Sequence, residues 1–256
     1  MTAQNPLRVL MLGAASGIAQ ATARLYASEG AVIGLAGRNP ARLESIAADL
    51  RARGSAGVET FEIDFTASDA TAALPAIADK LGGLDHVVLA YGVLGDQALA
   101  ERDSAIALSI IDVNFRSAAA WSLAVADLLE RQSRGSLVVL GSVAGDRGRR
   151  SNYVYGAAKA GLAVLVQGIS HRFRDSGPRA VIVKPGPTDT AMTAGMAKGG
   201  PMWSTPEVVA AIVRKAADRG GPVVYAPARW RLIMAIIRSS IASASAERAA
   251  PSSLVT

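Results

Sequence analysis

Seven short apolar runs, with helix-periodic stretches between them, constrain this chain more than any other feature. The runs are RVLMLG (8–13), AVIGLAG (31–37), VETFEID (58–64), DHVVLAY (85–91), SLVVLG (136–141), RAVIVKPG (179–186) and PVVYAP (222–227). Helical segments are expected near 18–30, 39–54, 68–81, 101–131, 153–175 and 206–219. In the first, Ile18, Ala21, Leu25 and Ala27 can form one apolar face and Gly30 marks the stop. In the second, Asn39 reads as the N-cap and Pro40 as the first turn. Strands that are apolar throughout and alternate with helices need cover on both faces. The expected fold is therefore α/β, a Rossmann-type three-layer αβα sandwich around a seven-stranded parallel sheet. The length, 256 residues, suits one such domain. We take 1–227 as that domain and 228–256 as an apolar and basic C-terminal extension of it. Only the Ala/Ser-rich tail at 239–256 reads like a linker.

Composition removes several chemistries. There is no cysteine, so disulfides, thiolate metal sites and cysteine nucleophiles are excluded. The two histidines, His86 and His171, lie far apart, and no metal site is expected. The net charge of +6 is carried largely by arginine, clustered at Arg147, Arg149 and Arg150 and at Arg229, Arg231 and Arg238. Such clusters read as a solvated surface, a site for an anionic ligand, or contact with an anionic membrane. Nucleic acid is not expected, because aromatics are few and no reader motif occurs. The N-terminus does not read as a signal peptide, and no apolar stretch is long enough to span a bilayer. A cytoplasmic location is expected.

In such a sheet, ligands bind beyond the carboxyl ends of the strands. The segment GAASGIA (13–19) follows the first strand there. Gly13 permits a tight turn, and Gly17 lets backbone approach a phosphate facing a helix N-terminus. Ala19 stands where a third glycine often occurs. A bare turn is the bland alternative, but the position after the first strand favours a dinucleotide loop, with Ser16 and Ile18 beside the ligand. The second strand ends in Gly37 and Arg38 rather than in a carboxylate. A carboxylate would bind the ribose hydroxyls of NAD, whereas an arginine pairs with the extra phosphate of NADP. NADP(H) is therefore expected over NAD(H), against the bland reading of a surface arginine. Asp64 can accept a hydrogen bond from the adenine amino group. Ala90 and Gly92 follow the fourth strand, and Gly92 lets backbone come close to the ligand.

Tyr155 and Lys159 are four residues apart and share a helix face, whereas Tyr153 faces elsewhere as pocket wall or packing. A lysine cation beside a phenol favours the phenolate, so Tyr155 is expected to have a lowered pKa and to exchange a proton with a substrate oxygen. Lys159 can also hold the nicotinamide ribose. Ser142, after the fifth strand, can hydrogen-bond a substrate carbonyl or alcohol. Asn114 can order a water or a backbone group for proton relay. A bound dinucleotide would supply the hydride.

With these residues, the chain resembles the short-chain dehydrogenase/reductase family over about residues 7–227. The resemblance rests on Gly13 to Ala19, Asp64, Asn114, Ser142, Tyr155, Lys159 and PGPTDT (185–190). It implies that Pro185, Thr188 and Thr190 belong to a segment wrapping the nicotinamide. It also implies a homodimer or homotetramer paired through the helices near 101–131 and 153–175. Two positions depart from the family pattern. The usual Asn-Ala-Gly is Ala90-Tyr91-Gly92, and a usual threonine is Leu12; structural hydrogen bonds are lost at both.

The segments YGVLGD (91–96), GDRGRRSNYVYGAAKAGL (145–162), PGPTDTAM (185–192) and YAPARWRLIMAIIR (225–238) are similar to a narrower branch, the decaprenylphosphoryl keto-pentose reductases. That similarity implies a lipid-phosphate-linked keto sugar as substrate. Arg149 and Arg150, between Ser142 and Tyr155, would then border its phosphate. The apolar segment WRLIMAIIR, with arginines near both ends, suits a helix on the inner membrane face or over a lipid tail. A lid or a subunit contact is the equal alternative. Another small ketone, such as a 3-oxoacyl thioester, remains an open substrate. A non-catalytic NADP-binding regulator would be expected to lose the Ser–Tyr–Lys set, which is intact.

Overall fold

Strand β1 (Arg8–Leu12) lies inside the sheet, and Val9 to Leu12 are completely buried. Period-two alternation sends Leu10 and Leu12 into one core and Val9 and Met11 into the other. One strand thus needs helices on both faces, which is why it is apolar throughout. The computed structural model describes residues 5–248, with side chains described through residue 239. Its sheet has seven parallel strands in the order β3-β2-β1-β4-β5-β6-β7. The others are β2 (Val32–Gly37), β3 (Gly57–Glu62), β4 (His86–Leu89), β5 (Ser136–Leu140), β6 (Arg179–Pro185) and β7 (Val223–Ala226).

Helices α1 (Gly17–Ser28), α2 (Pro40–Ala52) and α8 (Pro206–Arg219) cover one face. Helices α3 (Ala70–Leu81), α6 (Ala118–Gln132) and α7 (Tyr153–Arg172) cover the other. Asn39 caps α2, its side chain accepting from the Arg42 N–H at 2.9 Å, and Pro40 opens the first turn as expected. The strand order turns back between β1 and β4, so the ends of these two strands diverge into a crevice.

Three expectations need correction. The single helix expected near 101–131 is broken into α5 (Ser104–Ile111), a π-helical turn (Asp112–Ser117) and α6, after a short α4 (Gln97–Ala100). Asp96 caps α4 and Asp103 caps α5, so each side chain starts a new helix where periodicity alone suggests continuity. The tail expected at 239–256 is helical as far as Arg248, the end of α9 (Arg229–Arg248); residues 249–256 lie outside the described residues. Tyr153 is 43% exposed at the start of α7, so of its two expected places, pocket wall or packing, the structure rules out packing.

Candidate active site

A cleft of about 650 Å³ opens at the crevice between the carboxyl ends of β1 and β4. Gly13, Ser16, Gly17, Ile18, Arg38, Asp64, Gly92 and Thr190, all expected at a cofactor, lie along it. Gly13 has φ of +89°, and a Cβ there would fall 2.6 Å from the Cβ of Tyr91. Only glycine fits that turn. Helix α1 then begins at Gly17, with no side-chain cap on its first N–H groups and no acidic residue in its first turn. An open helix N-terminus at a cleft suits a diphosphate. These features fit a dinucleotide. Arg38 is exposed just after the end of β2. Asp64 accepts hydrogen bonds from the N–H and hydroxyl of Thr66, which hold its carboxyl below the usual range. Arg38 assists slightly.

The proposed catalytic side chains gather deeper, beyond Gly92. A Cβ on Gly92 would lie 2.5 Å from Asn114 Oδ1 and 3.3 Å from Lys159 Nζ. This glycine is therefore required by crowding. Asn114 is fully buried in the π-helical turn. Its Nδ2 donates to the carbonyls of Val93 (2.7 Å) and Ile110 (2.9 Å), and its Oδ1 accepts from the Val93 N–H. The π-helical turn carries Asn114, whose side chain reaches back to the Ile110 carbonyl of α5. Asn114 thus holds the backbone of Val93 and Ile110.

Tyr155 and Lys159 share one face of α7 as predicted, with Lys159 Nζ 5.8 Å from the tyrosine ring centre. Lys159 Nζ donates to the Leu140 carbonyl at 3.2 Å. The Ser142 hydroxyl accepts from the Ala144 N–H at 3.1 Å and lies close enough to Tyr155 to act on its pKa. The expected fall in the pKa of Tyr155 does not occur here. Burial pushes the phenol up to about 12, with Ser142 pulling it back, and pushes Lys159 down to about 8. Desolvation of both groups outweighs the attraction expected from the lysine.

Other expected residues sit around this centre. Ala90 and Pro185 are buried at the ends of β4 and β6. The Thr188 hydroxyl donates to the Gly186 carbonyl at 3.0 Å. Arg149 and Arg150 do not line the cleft: the guanidinium of Arg149 turns to Met234 Sδ in α9, and Arg150 is exposed. His86 is buried against Tyr26, and among the described residues no cluster suits a metal ion.

Sequence reasoning missed an aromatic stack at the cleft floor. Tyr91 lies parallel to Phe65 at 4.2 Å, and Trp121 meets Phe65 edge-on at 5.4 Å. The Tyr91 hydroxyl reaches Ser117 Oγ at 3.2 Å. The available signal was a bulky residue just before Gly92. Among the described residues, no helix is long and apolar enough to cross a membrane.

A family model described as short chain dehydrogenase matches residues 8–199. The chain belongs to the short-chain dehydrogenase/reductase family. An uncharacterized oxidoreductase of Mycobacterium tuberculosis (strain ATCC 25618 / H37Rv) is 41% identical over 227 residues, covering 88% of this chain and 89% of the relative. An uncharacterized oxidoreductase of Streptomyces coelicolor is 35% identical over 235 residues, covering 91% and 92%. A solved structure described as a short chain dehydrogenase/reductase family protein superimposes with a TM-score of 0.74 at 31% identity, covering 86% and 94%. The protein is an NAD(P)-dependent oxidoreductase of this family.

Proposed function

We propose that this short-chain dehydrogenase/reductase uses NADP(H) to reduce a ketone to a secondary alcohol, with a ketone on a lipid-phosphate-linked sugar as the favoured substrate class. The observation that carries the reading is the gathering of Ser142, Tyr155, Lys159 and Asn114 behind Gly92, next to the dinucleotide cleft. The nicotinamide, when bound, supplies the hydride. Tyr155 gives its hydroxyl proton to the ketone oxygen, and Ser142 donates a hydrogen bond to the same oxygen. Lys159, with a pKa of about 8, is protonated at neutral pH and stabilises the resulting phenolate. The buried Asn114 keeps Val93 and Ile110 in place behind them.

NADP(H) preference is supported by Arg38 at the end of β2 and by the lack of a carboxylate there. Arg38→Ala is expected to weaken NADPH binding about tenfold and NADH binding little, as for the loss of one phosphate ion pair. Equal losses in a titration of both cofactors would remove Arg38 as the selector. The substrate class is supported by the similarity of residues 145–162 and 225–238 to keto-pentose reductases, and by apolar Val93, Leu94 and Met192 along the cleft. NADPH oxidation should be followed with polyprenyl-phosphate keto sugars, 3-oxoacyl thioesters and plain cyclic ketones. Turnover of the thioesters alone would replace the favoured class. Homo-oligomerisation through α6 and α7 is supported by the exposed Leu123 and Val164 on them, and peripheral membrane contact by the exposed Leu232 of α9 among arginines.

A further inference from the structure

We propose that the first turn of α9 is a clamp that sets the nicotinamide half of the cleft, with Trp230 and Arg229 as its positioning residues. The inference rests on nicotinamide dinucleotide binding, and on residues 185–190 lying beside the nicotinamide as the family resemblance implies.

The loop after β6 leaves the sheet at Gly186 and returns at Ser204, just before α8. At its departure there is no room for a side chain. A Cβ on Gly186 would stand 1.9 Å from Trp230 Nε1 and 2.2 Å from Trp230 Cε2. The indole therefore fills the space that any other residue at 186 would need. The Gly186 N–H donates to the Ala226 carbonyl at 3.1 Å, tying the same point to β7. Trp230 is only 5% exposed and packs with Val143, Met234 and Tyr225. Among the described residues its Nε1 has no hydrogen-bond partner, so packing rather than a directed bond positions the ring.

The neighbouring residue holds the other end of the loop. Arg229 Nη2 donates to the Trp203 carbonyl at 3.3 Å and reaches Ser204 Oγ at 3.4 Å. Ser204 N–H donates to the Pro187 carbonyl at 3.0 Å, and Asp189 N–H donates to the Ser204 carbonyl at 2.9 Å. The loop is thus closed at its base, and two consecutive residues of α9 hold the two sides of that closure. Beyond the base, residues 191–203 are largely exposed. The positions of Thr190 and Met192 along the cleft are then set from the base.

The clamp also touches the proton-transfer side. Val143, which packs on Trp230, directly follows Ser142. Three residues further on, Asp146 is buried in an ion pair with Lys184 of β6 and accepts from the Tyr225 hydroxyl of β7 at 2.7 Å. One buried unit therefore registers the Ser142 segment against the Pro185–Gly186 turn. A distant displacement of about 1 Å is enough to damage a site that works by positioning.

The test compares a whole ligand with part of it. Calorimetric titration would measure NADPH and NADH, and the corresponding fragments without nicotinamide, 2′-phospho-ADP-ribose and ADP-ribose. Trp230→Leu should weaken the tighter whole cofactor about tenfold and its fragment less than about twofold, because only the nicotinamide half loses its support. Arg229→Ala, at an exposed side chain, should give a selective loss of about threefold. Gly186→Ala should weaken the whole cofactor alone, and Trp230→Leu added to it should recover part of that loss. Whole cofactor and fragment weakening together, or neither changing, would overturn the clamp. Should Trp230→Leu fail to fold, Arg229→Ala decides by the same criterion. A wild-type protein that bound neither ligand would refute the cofactor reading and this one with it.

Discussion

Two polar clusters are buried at opposite edges of the sheet, and each contains a tyrosine whose pKa burial raises. At the amino edge the Tyr26 hydroxyl meets His86 Nδ1 at 2.8 Å, and the Arg214 guanidinium lies 4.7 Å from the Tyr26 ring centre. Arg214 is itself paired with Glu29 at 2.9 Å and Asp218 at 2.7 Å. At the carboxyl edge Lys159 has the Leu140 carbonyl, but among the described residues no carboxylate forms an ion pair with it. A raised tyrosine pKa is common to both clusters and so does not mark the site. The unmatched cation does. In the amino-edge cluster the cation is paired, one guanidinium against two carboxylates, whereas the carboxyl-edge cluster holds an unpaired cation at a cost that a ligand or reaction would offset.

The largest effect should separate the two tyrosines. Tyr155→Phe removes the proton donor and should lower turnover by about 10³-fold or more, leaving cofactor affinity within about twofold. Turnover within about tenfold of wild type, once a substrate is in hand, would place the proton donor elsewhere.

Next comes the lysine. The folded pKa of Lys159, about 8, is below its ordinary value of 10.5. Below pH 8 it is charged in both states, and folding bears the cost of burying the charge. Between about pH 8 and 10.5 the unfolded chain binds more protons than the folded one, so wild-type stability should gain from this residue as pH rises. Lys159→Met should therefore stabilise the cofactor-free protein near pH 7, by on the order of 3 kcal/mol less the lost Leu140 hydrogen bond. The advantage should shrink through pH 8–10 and turnover should be lost. Denaturant titrations at pH 7 and 9.5 measure it. Destabilisation at pH 7 would mean that the ammonium is better solvated than its surroundings suggest.

These two residues were legible in the sequence because helical spacing is local: Tyr155 and Lys159 need only one turn of α7 to meet. The strands were legible for a similar reason, since β1, β4 and β5 are covered on both faces and must be apolar along their length. What escaped depends on pairs distant in the chain. The π-turn at Asp112–Ser117 forms where Asn114 reaches back to Val93, and no local period reports that. The stack of Phe65, Tyr91 and Trp121 joins three separate segments. The docking of α9 left a trace, since Trp230, Ile233, Met234 and Ile237 recur at helical spacing, but its receptor, Gly186, was visible only in space. The depressed tyrosine pKa was misjudged because charge pairing was weighed without burial.

The smallest effect tests the amino edge. Tyr26→Phe keeps the ring beneath Arg214 and removes only the hydroxyl, leaving His86 Nδ1 buried without that partner. Burial already holds His86 below its ordinary pKa, so the ring is neutral at pH 7 and does not regain a partner by taking up a proton. The loss should be that of one buried hydrogen bond, about 1–2 kcal/mol, seen as a fall of a few degrees in Tm for a chain of this size. Cofactor affinity and turnover should stay within about twofold, because the cluster lies at the edge of the sheet away from the cleft. A large loss of turnover with Tm unchanged would break the division between the two edges, since the cluster with the paired cation would then be acting on the one with the unpaired cation through the sheet.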